Sequence, residues 1–290
     1  MNENLHKAKQ SKNDEFYTQL STIENELQHY VEFFEGKVVY CNCDDPAFSN
    51  FWKFFLSNFN RFRLKGLVST YYSVSGSYKT EAYRDENKIV ISSEALSGDG
   101  DFRGAECVEI LQSCDIICTN PPFSLYREFI RLLYAYKKDF LIIANFLAVT
   151  DLFSFDCIKE GSMRFGLTSR VMHFTTTTVE LKSVNAKWFT SLQHKRIPEP
   201  LILTKKYSAE LYPFYDNYRA IHVPKVKDIP CDYYEPMGVP ITYLEKYNPE
   251  QFELIEIRRG KRNPLYKGGS KSDALVNGRL IFTKVFVKRR

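Results

Sequence analysis

The sequence predicts an α/β fold, a mostly parallel sheet covered on both faces by helices, followed by a β-rich C-terminal region. Short apolar runs alternate with amphipathic stretches between Lys37 and Phe146, the pattern of strands joined by helical crossovers. Polar, acceptor-rich segments follow two of these runs, Asn42-Cys-Asp-Asp45 and Asn120-Pro-Pro-Phe123, at the strand ends where open parallel sheets hold ligands. One crevice can therefore take both. Beyond Thr150 the alternation gives way to extended segments broken by prolines, so two regions are expected, 1–195 and 196–290.

From Asp14 to Phe34, Phe16, Leu20, Ile23, Leu27, Val31 and Phe34 fall at the three-and-four spacing of one helical face, which predicts a single helix ended by Gly36. Lys37-Val-Val-Tyr-Cys-Asn42 is a buried strand, and Asp44-Asp45-Pro46 opens a helix running to about Asn60, with the proline in its first turn. Leu64 to Tyr72 reads as a strand, while Tyr78 to Arg84 and Lys88 to Ser93 pair as a hairpin across Asp85-Glu86-Asn87. Asp99-Gly-Asp-Phe102 is a loop. A helix from Ala105 to Gln112 leads to the strand Asp115 to Thr119, after which Ser124 caps a helix bearing Leu125, Phe129, Leu132, Leu133 and Tyr136. Phe140 to Phe146 is the next strand, and its polar Asn145 is expected to bond locally. Val171 to Val184, with threonines at 175 to 178, favours extended structure, and Phe252 to Ile257 reads as a strand. Ala274 to Phe282 is a hairpin on Asn277-Gly278, a pair that accepts two positive φ angles.

A chain of 290 residues can bury a sizeable core. Its 44% hydrophobic and 26% charged residues are ordinary for a folded soluble protein, whereas 15% aromatic is high. No run of about 18 apolar residues exists and the polar start lacks a secretory core, so no membrane contact and a cytoplasmic location are expected. The seven cysteines include no Cys-x-x-Cys pair and read as reduced, buried thiols. Cys114 and Cys118 have a metal-like spacing, but Cys118 lies in a predicted strand, where residues four apart are too distant for one ion. No metal is expected. Net charge is +5, unevenly spread: Ile255 to Arg290 holds eleven Lys or Arg against two acids, net +9, leaving the first 254 residues at −4. A cationic end on a near-neutral body suits a surface that meets phosphates, and a solvated tail is the plainer alternative. Arg258, Arg259, Lys261, Arg262, Lys267 and Lys271 are its candidate contacts.

Asn120-Pro121-Pro122-Phe123 carries the chemistry. An exocyclic aromatic amine is a poor nucleophile because its lone pair is delocalised into the ring, and hydrogen-bond acceptors draw that nitrogen toward a tetrahedral geometry. The Asn120 carbonyl oxygen and the backbone carbonyl of Pro121 can accept its two N–H groups, while the prolines stiffen the loop. Phe123 can stack on a base turned out of its duplex, worth about 1 to 3 kcal/mol. The plainer reading, a proline-rich turn with Phe123 as core, is weakened because this tetrapeptide arises by chance in only about one such chain in a thousand.

Five segments, Lys12-Asn-Asp-Glu-Phe-Tyr-Thr18, Tyr40-Cys-Asn-Cys-Asp-Asp-Pro46, Gly98-Asp-Gly-Asp-Phe-Arg103, Thr119-Asn-Pro-Pro-Phe-Ser124 and Trp188-Phe-Thr190, occur in an order that resembles the EcoRI-type adenine-specific DNA methyltransferases, over most of the chain. The resemblance implies a Rossmann-like sheet that binds S-adenosyl-L-methionine, N6 methylation of a flipped adenine in double-stranded DNA, and target recognition in region 196–290. It implies a restriction–modification setting, a monomer is expected, and whether a cognate restriction endonuclease accompanies the chain is not deducible from these residues. Phe16, Tyr17 and Thr18 would contact the methionine part of the cofactor, and Asn42 to Asp45 would replace the glycine-rich first motif, which this chain lacks. Asp44 and Asp45 would accept from the cofactor's ammonium or ribose hydroxyls, unless they cap a helix beside Pro46. Asp101 would accept from the cofactor adenine amine and Phe102 would stack on its ring, with a Gly-Asp-Gly turn as the alternative. Trp188 and Phe189 would line the flipped-base pocket or pack a core.

The rival substrates are cytosine N4, RNA adenine and a protein glutamine amide. In those families the motif usually resembles Ser-Pro-Pro-Tyr for cytosine and Asn-Pro-Pro-Tyr for glutamine, so Phe123 favours adenine. The basic C-terminal stretch, interleaved with Tyr266, Phe282 and Phe286, favours nucleic acid. A non-catalytic DNA-binding protein of the same fold is the alternative of a different class.

Overall fold

The computed structural model describes residues 17–168, 172–175, 181–194, 198–257, 260–269, 273–281 and 284–290. The chain divides into two compact units, Met1–His194 and Lys195–Arg290. No helix among the described residues is long and apolar enough to cross a membrane.

The first unit runs β1 (Tyr17–Thr18), α1 (Leu20–Leu27), α2 (Val31–Phe34), β2 (Val38–Cys41), α3 (Asn50–Ser57), β3 (Gly66–Ser69), β4 (Tyr78–Asp85) and β5 (Lys88–Ala95). It continues through α4 (Ala105–Ser113), β6 (Ile116–Thr119), α5 (Tyr126–Ala135), β7 (Asp139–Asn145), α6 (Leu152–Glu160), β8 (Arg164–Phe165), β9 (Met172–Thr175), β10 (Leu181–Val184) and β11 (Ala186–Thr190). Eight strands form the central sheet in the order β5-β4-β3-β2-β6-β7-β11-β8. Only its heart, β3-β2-β6-β7, is parallel. Both margins are antiparallel, so the expected mostly parallel sheet is a mixed one. On one side the cause is the tight turn between β4 and β5, with Glu86 at φ 49, because so short a connection can join only antiparallel neighbours.

Strands β3 and β6 are buried along their whole length, which is why they read as unbroken apolar runs. The chain leaves β2 to reach β3 on one side and later reaches β6 on the other. That reversal opens a crevice at the carboxyl ends of β2 and β6. Much of the aromatic content is core: α3 buries Phe51, Trp52, Phe54 and Phe55, and Phe34, Phe54 and Phe55 surround Phe62 with ring centroids 5.4 to 5.9 Å away.

Three helix starts differ from expectation. Residues 17–34 form a strand and two helices rather than part of one long helix, because Tyr17 and Thr18 pair with Thr175 and Phe174 of β9 and Tyr30 leaves helical geometry at φ −119, ψ 11. The helix predicted from Asp44 starts at Asn50, where the Ser49 hydroxyl accepts from the Phe51 and Trp52 amides at 3.0 and 3.4 Å. Helix α5 is entered through a tight turn at Phe123–Leu125 with no side-chain cap from Ser124.

The interaction hidden by the apolar stripe is Glu26. It is 0% exposed, and its carboxylate accepts from the amides of Leu167 and Thr168, both at 2.7 Å, from the Thr168 hydroxyl at 2.5 Å and from the Tyr30 hydroxyl at 2.8 Å. Gly166 permits this approach, since a Cβ there would lie 2.3 Å from Glu26 Oε1 and 2.4 Å from Trp188 Cβ.

The second unit contains β12 (Ile221–His222), β13 (Met237–Pro240), β14 (Phe252–Glu256), β15 (Leu275–Val276), β16 (Arg279–Leu280) and β17 (Lys284–Arg289). Four of these form a sheet in the order β12-β13-β17-β14. The pair β15 and β16 turns on Asn277 and Gly278 at φ 51 and 73, the conformation the Asn-Gly pair requires. Phe286 stacks on Tyr218 at 4.9 Å in the core of this unit.

Glu26→Ala would remove the acceptor of two partly buried amides, each costing up to about 1 to 3 kcal/mol. Denaturant unfolding should show a loss of about 2 to 5 kcal/mol, and an unchanged midpoint would refute the role given to this carboxylate.

Candidate active site

Strand β2 delivers Asn42 to Asp45 and β6 delivers Asn120 to Phe123 at adjacent sheet ends. Asp44 ties them together. Its carboxylate is buried and accepts from the Ser49 hydroxyl at 2.6 Å and from the Thr119 hydroxyl at 2.5 Å. Its own amide donates to the Thr70 carbonyl at 3.0 Å, and the Ser69 hydroxyl donates to its carbonyl. One residue thus binds chain leaving β2, β3 and β6. Burial pushes the Asp44 carboxyl up to about 6, with the bonds from Ser49 and Thr119 opposing that rise.

Asp45 acts on its own loop, where its Oδ1 accepts from the Ala47 amide at 2.9 Å and closes the turn around Pro46. Neither aspartate is the helix cap, which is Ser49. Asn42 is buried, and its Oδ1 has no hydrogen-bond partner among the described residues. The same holds for Thr18 Oγ1. Thr18 is held near this region through its backbone carbonyl, which accepts from Asn50 Nδ2 at 2.8 Å at the start of α3. Tyr17 contributes backbone pairing in β1, and Phe16 lies outside the described residues.

Asn120 follows β6 directly and is half-buried. Phe123 opens the turn into α5, and its ring meets that of Phe174 edge-on at 6.2 Å. Because Phe174 belongs to β9, the partner of β1, the Asn-Pro-Pro-Phe loop and the Thr18 segment share one support. Asn145 bonds locally as expected, its Oδ1 accepting from the Leu147 amide at 2.9 Å.

Other candidates are placed elsewhere. Phe102 is 4% exposed and packs edge-on against Phe129 at 5.0 Å, with the Arg103 guanidinium 5.5 Å from its ring. The ring is therefore packed within the protein, and its expected stacking on the cofactor adenine rests on the resemblance alone. The neighbouring Asp101 is engaged by Arg103, whose Nη2 lies 2.5 Å from Oδ2 and whose backbone amide and Nε lie 2.9 Å from Oδ1. Gly100 has φ 75, and a Cβ there would fall 2.0 Å from the Tyr71 carbonyl oxygen. Glycine is thus required at position 100 of this turn, whereas position 98 has room for a Cβ. Trp188 and Phe189 are both 0% exposed. As neighbours on β11 they point to opposite faces of the sheet, Trp188 against Phe51 and Phe189 against Phe165 and Tyr126. They pack the core, not a base pocket.

In the second unit, Lys261 and Arg262 lie on a short turn, Lys261 exposed, while Lys267 donates to the carbonyls of Tyr215 at 3.0 Å and Asp216 at 3.5 Å. Arg258, Arg259 and Lys271 lie outside the described residues. Phe286 is core and Tyr266 is half-buried beside Tyr218 at 5.3 Å; Phe282 is outside the described residues. Sequence reasoning alone misses Thr119, Ser49 and Ser69 as Asp44 partners, although hydroxyl residues at strand ends beside a buried acid are the available signal. No group of three or more His, Cys, Asp or Glu that could hold a metal occurs among the described residues.

Because the fold raises the Asp44 pKa, the protonated form is favoured in the folded state. The Asp44 contribution to stability should be fully present below about pH 4 and lost as pH rises through about 6, a total on the order of 3 kcal/mol. Comparing unfolding free energies of the intact chain and Asp44→Asn across this window should reveal that slope; parallel curves would contradict it.

The chain matches the family model described as adenine-specific methyltransferase EcoRI over residues 4–289. It is 42% identical to the type II methyltransferase M.EcoRI of Escherichia coli, covering 100% of this chain and 97% of that protein. It is 36% identical to the type II methyltransferase M.MpnI of Mycoplasma pneumoniae and 34% identical to M.MgeORF184P of Mycoplasma genitalium, in each case over 99% of this chain and 98% of the relative. No solved structure matches it. With the Asn-Pro-Pro-Phe loop at a switch-point crevice and a family match along almost its entire length, the chain belongs to the EcoRI family of adenine-specific DNA methyltransferases.

Proposed function

We propose that this chain transfers the methyl group of S-adenosyl-L-methionine to N6 of an adenine flipped out of duplex DNA, with Asn120, Pro121, Pro122 and Phe123 at the reacting centre. The observation that carries this reading is the Thr119-to-Asp44 hydrogen bond, which sets the Asn-Pro-Pro-Phe loop beside the Asn42 to Asp45 loop at one pair of strand ends. The residues fit the cofactor. Buried polar atoms are normally satisfied, and Thr18 Oγ1 and Asn42 Oδ1, which lack protein partners among the described residues, suit its polar groups. Asn42 Oδ1 suits the ammonium or a ribose hydroxyl as an acceptor, and the Thr18 hydroxyl suits the methionine carboxylate as a donor. The backbone of Tyr17 and the turn at Asp45 complete the proposed site. Asp44 is assigned the support of that site, since two hydroxyls already occupy its carboxylate.

The cofactor supplies an electrophilic methyl on a sulfonium. For the chain's part, the Asn120 and Pro121 carbonyl oxygens accept the two N6 hydrogens and turn the nitrogen lone pair toward that methyl. With the cofactor bound, its sulfonium would give up the methyl to N6 and leave as a neutral thioether, and the surplus N6 proton would pass to water while the Asn120 and Pro121 carbonyls keep the amine oriented. The two prolines limit loop rearrangement between approach and transfer. Phe123, braced by Phe174, is assigned the face of the flipped base. The Lys195–Arg290 unit holds 19 Lys or Arg against 11 acids, net +8, and is proposed as the DNA-recognition region.

Asn120→Ala should lower single-turnover methyl transfer by about 10²- to 10³-fold while calorimetric cofactor affinity stays close to that of the intact chain. Undiminished transfer would overturn the role of Asn120. Sequencing of DNA from cells expressing the chain should show N6-methyladenine in one sequence context, and methylation confined to cytosine would reject adenine.

A further inference from the structure

The fold consumes part of the positive charge that the C-terminal sequence offers. Lys284 is buried in β17 and donates to the Val223 carbonyl at 3.2 Å, and burial lowers its ammonium to about 8. Arg289 donates to the Cys231 carbonyl and lies 4.8 Å over the Tyr234 ring. Lys267, although exposed, donates to two backbone carbonyls of its own unit. These three cations brace the unit they belong to.

A different set of cations stands clear. An open cleft of about 390 Å³ is lined by Pro224, Lys225, Val226, Lys227, Pro240, Thr242, Glu245 and Lys246. Lys225 and Lys227 lie on the turn after β12 and Lys246 ends the turn after β13, and all three are exposed. No ion pair engages any of the three among the described residues. Two prolines in the lining have fixed backbone φ, and the exposed Thr242 hydroxyl adds a donor. Glu245 is the one acid of the lining, leaving it net positive by two. Three exposed ammonium groups lining one open cleft of net positive charge suit phosphate groups, because ammonium acts as a point charge that needs no fixed partner geometry.

We infer that the Lys225, Lys227 and Lys246 cleft is a docking site for the DNA sugar–phosphate backbone, separate from the Ile255 to Arg290 segment to which the sequence alone directs attention. This rests on the reading that the chain acts on DNA. The contact is independent of base sequence and adds affinity on any duplex.

The test is fluorescence anisotropy of the full chain on a labelled duplex between about 50 and 200 mM salt. The logarithm of affinity against the logarithm of salt should lose about 0.9 of slope for each of Lys225→Gln, Lys227→Gln and Lys246→Gln, and about 2.7 for the triple variant. A control, Lys205→Gln with Lys206→Gln, removes two exposed charges of the same unit outside the cleft and should change the slope little. An equal drop per charge in the control would overturn the cleft as a distinct site, as would a triple variant with the parent slope. An intact chain whose DNA affinity ignores salt would instead remove the DNA reading on which the cleft depends. All five lysines are exposed, and thermal unfolding of each variant near that of the parent certifies the comparison.

Discussion

The site depends on one buried carboxylate. Three strands of the parallel heart end at the crevice, and each would otherwise release its loop independently. Asp44 holds Thr119 and Ser49 through its side chain and Thr70 and Ser69 through its backbone. The Asn120 to Phe123 loop therefore starts from a fixed point one residue away. A charged group so deep in the molecule is costly, and the raised carboxyl reports that cost. Placing it at the joint between the two polar loops concentrates rigidity where an in-line transfer needs it.

The core offers a parallel arrangement for the other wall of the site. Glu26 fixes the chain just before β9, β9 pairs with β1, and Phe174 of β9 abuts Phe123. The segment carrying Thr18 and the ring of Phe123 thus rest on the same short strand. Two buried acids, Asp44 at the strand ends and Glu26 on α1 against the segment that leads to β9, brace the chain around the candidate site.

Much of this is legible in the sequence. Strands β2, β6 and β7 announce themselves as continuous apolar runs because both their faces are covered, and the Asn277-Gly278 turn is dictated by the φ angles it needs. The Asn-Pro-Pro-Phe motif is readable because its residue types are uncommon together and follow a strand. What escapes is long-range. Periodicity at 20, 23, 27 and 31 is equally consistent with one helix, and nothing local says that Tyr17 and Thr18 leave it to pair with residues near 175. Residue type leaves Trp188 and Phe189 open between a base pocket and the core, and their complete burial favours the core. Lys284 likewise looks like surface charge until its burial and its carbonyl partner are seen.

The pairing of β1 with β9 joins residues more than 150 positions apart, and Glu26 meets Thr168 across 142. Such closures are entropically slow and follow local structure. During synthesis the β1 segment must therefore wait until β9 has emerged before it finds its strand partner. The central sheet up to β7 can assemble earlier without them. The arm proposed to hold the cofactor is made first and docked last, so a chain halted before residue 172 could form the parallel heart of the enzyme yet lack a partner for the strand that carries Thr18.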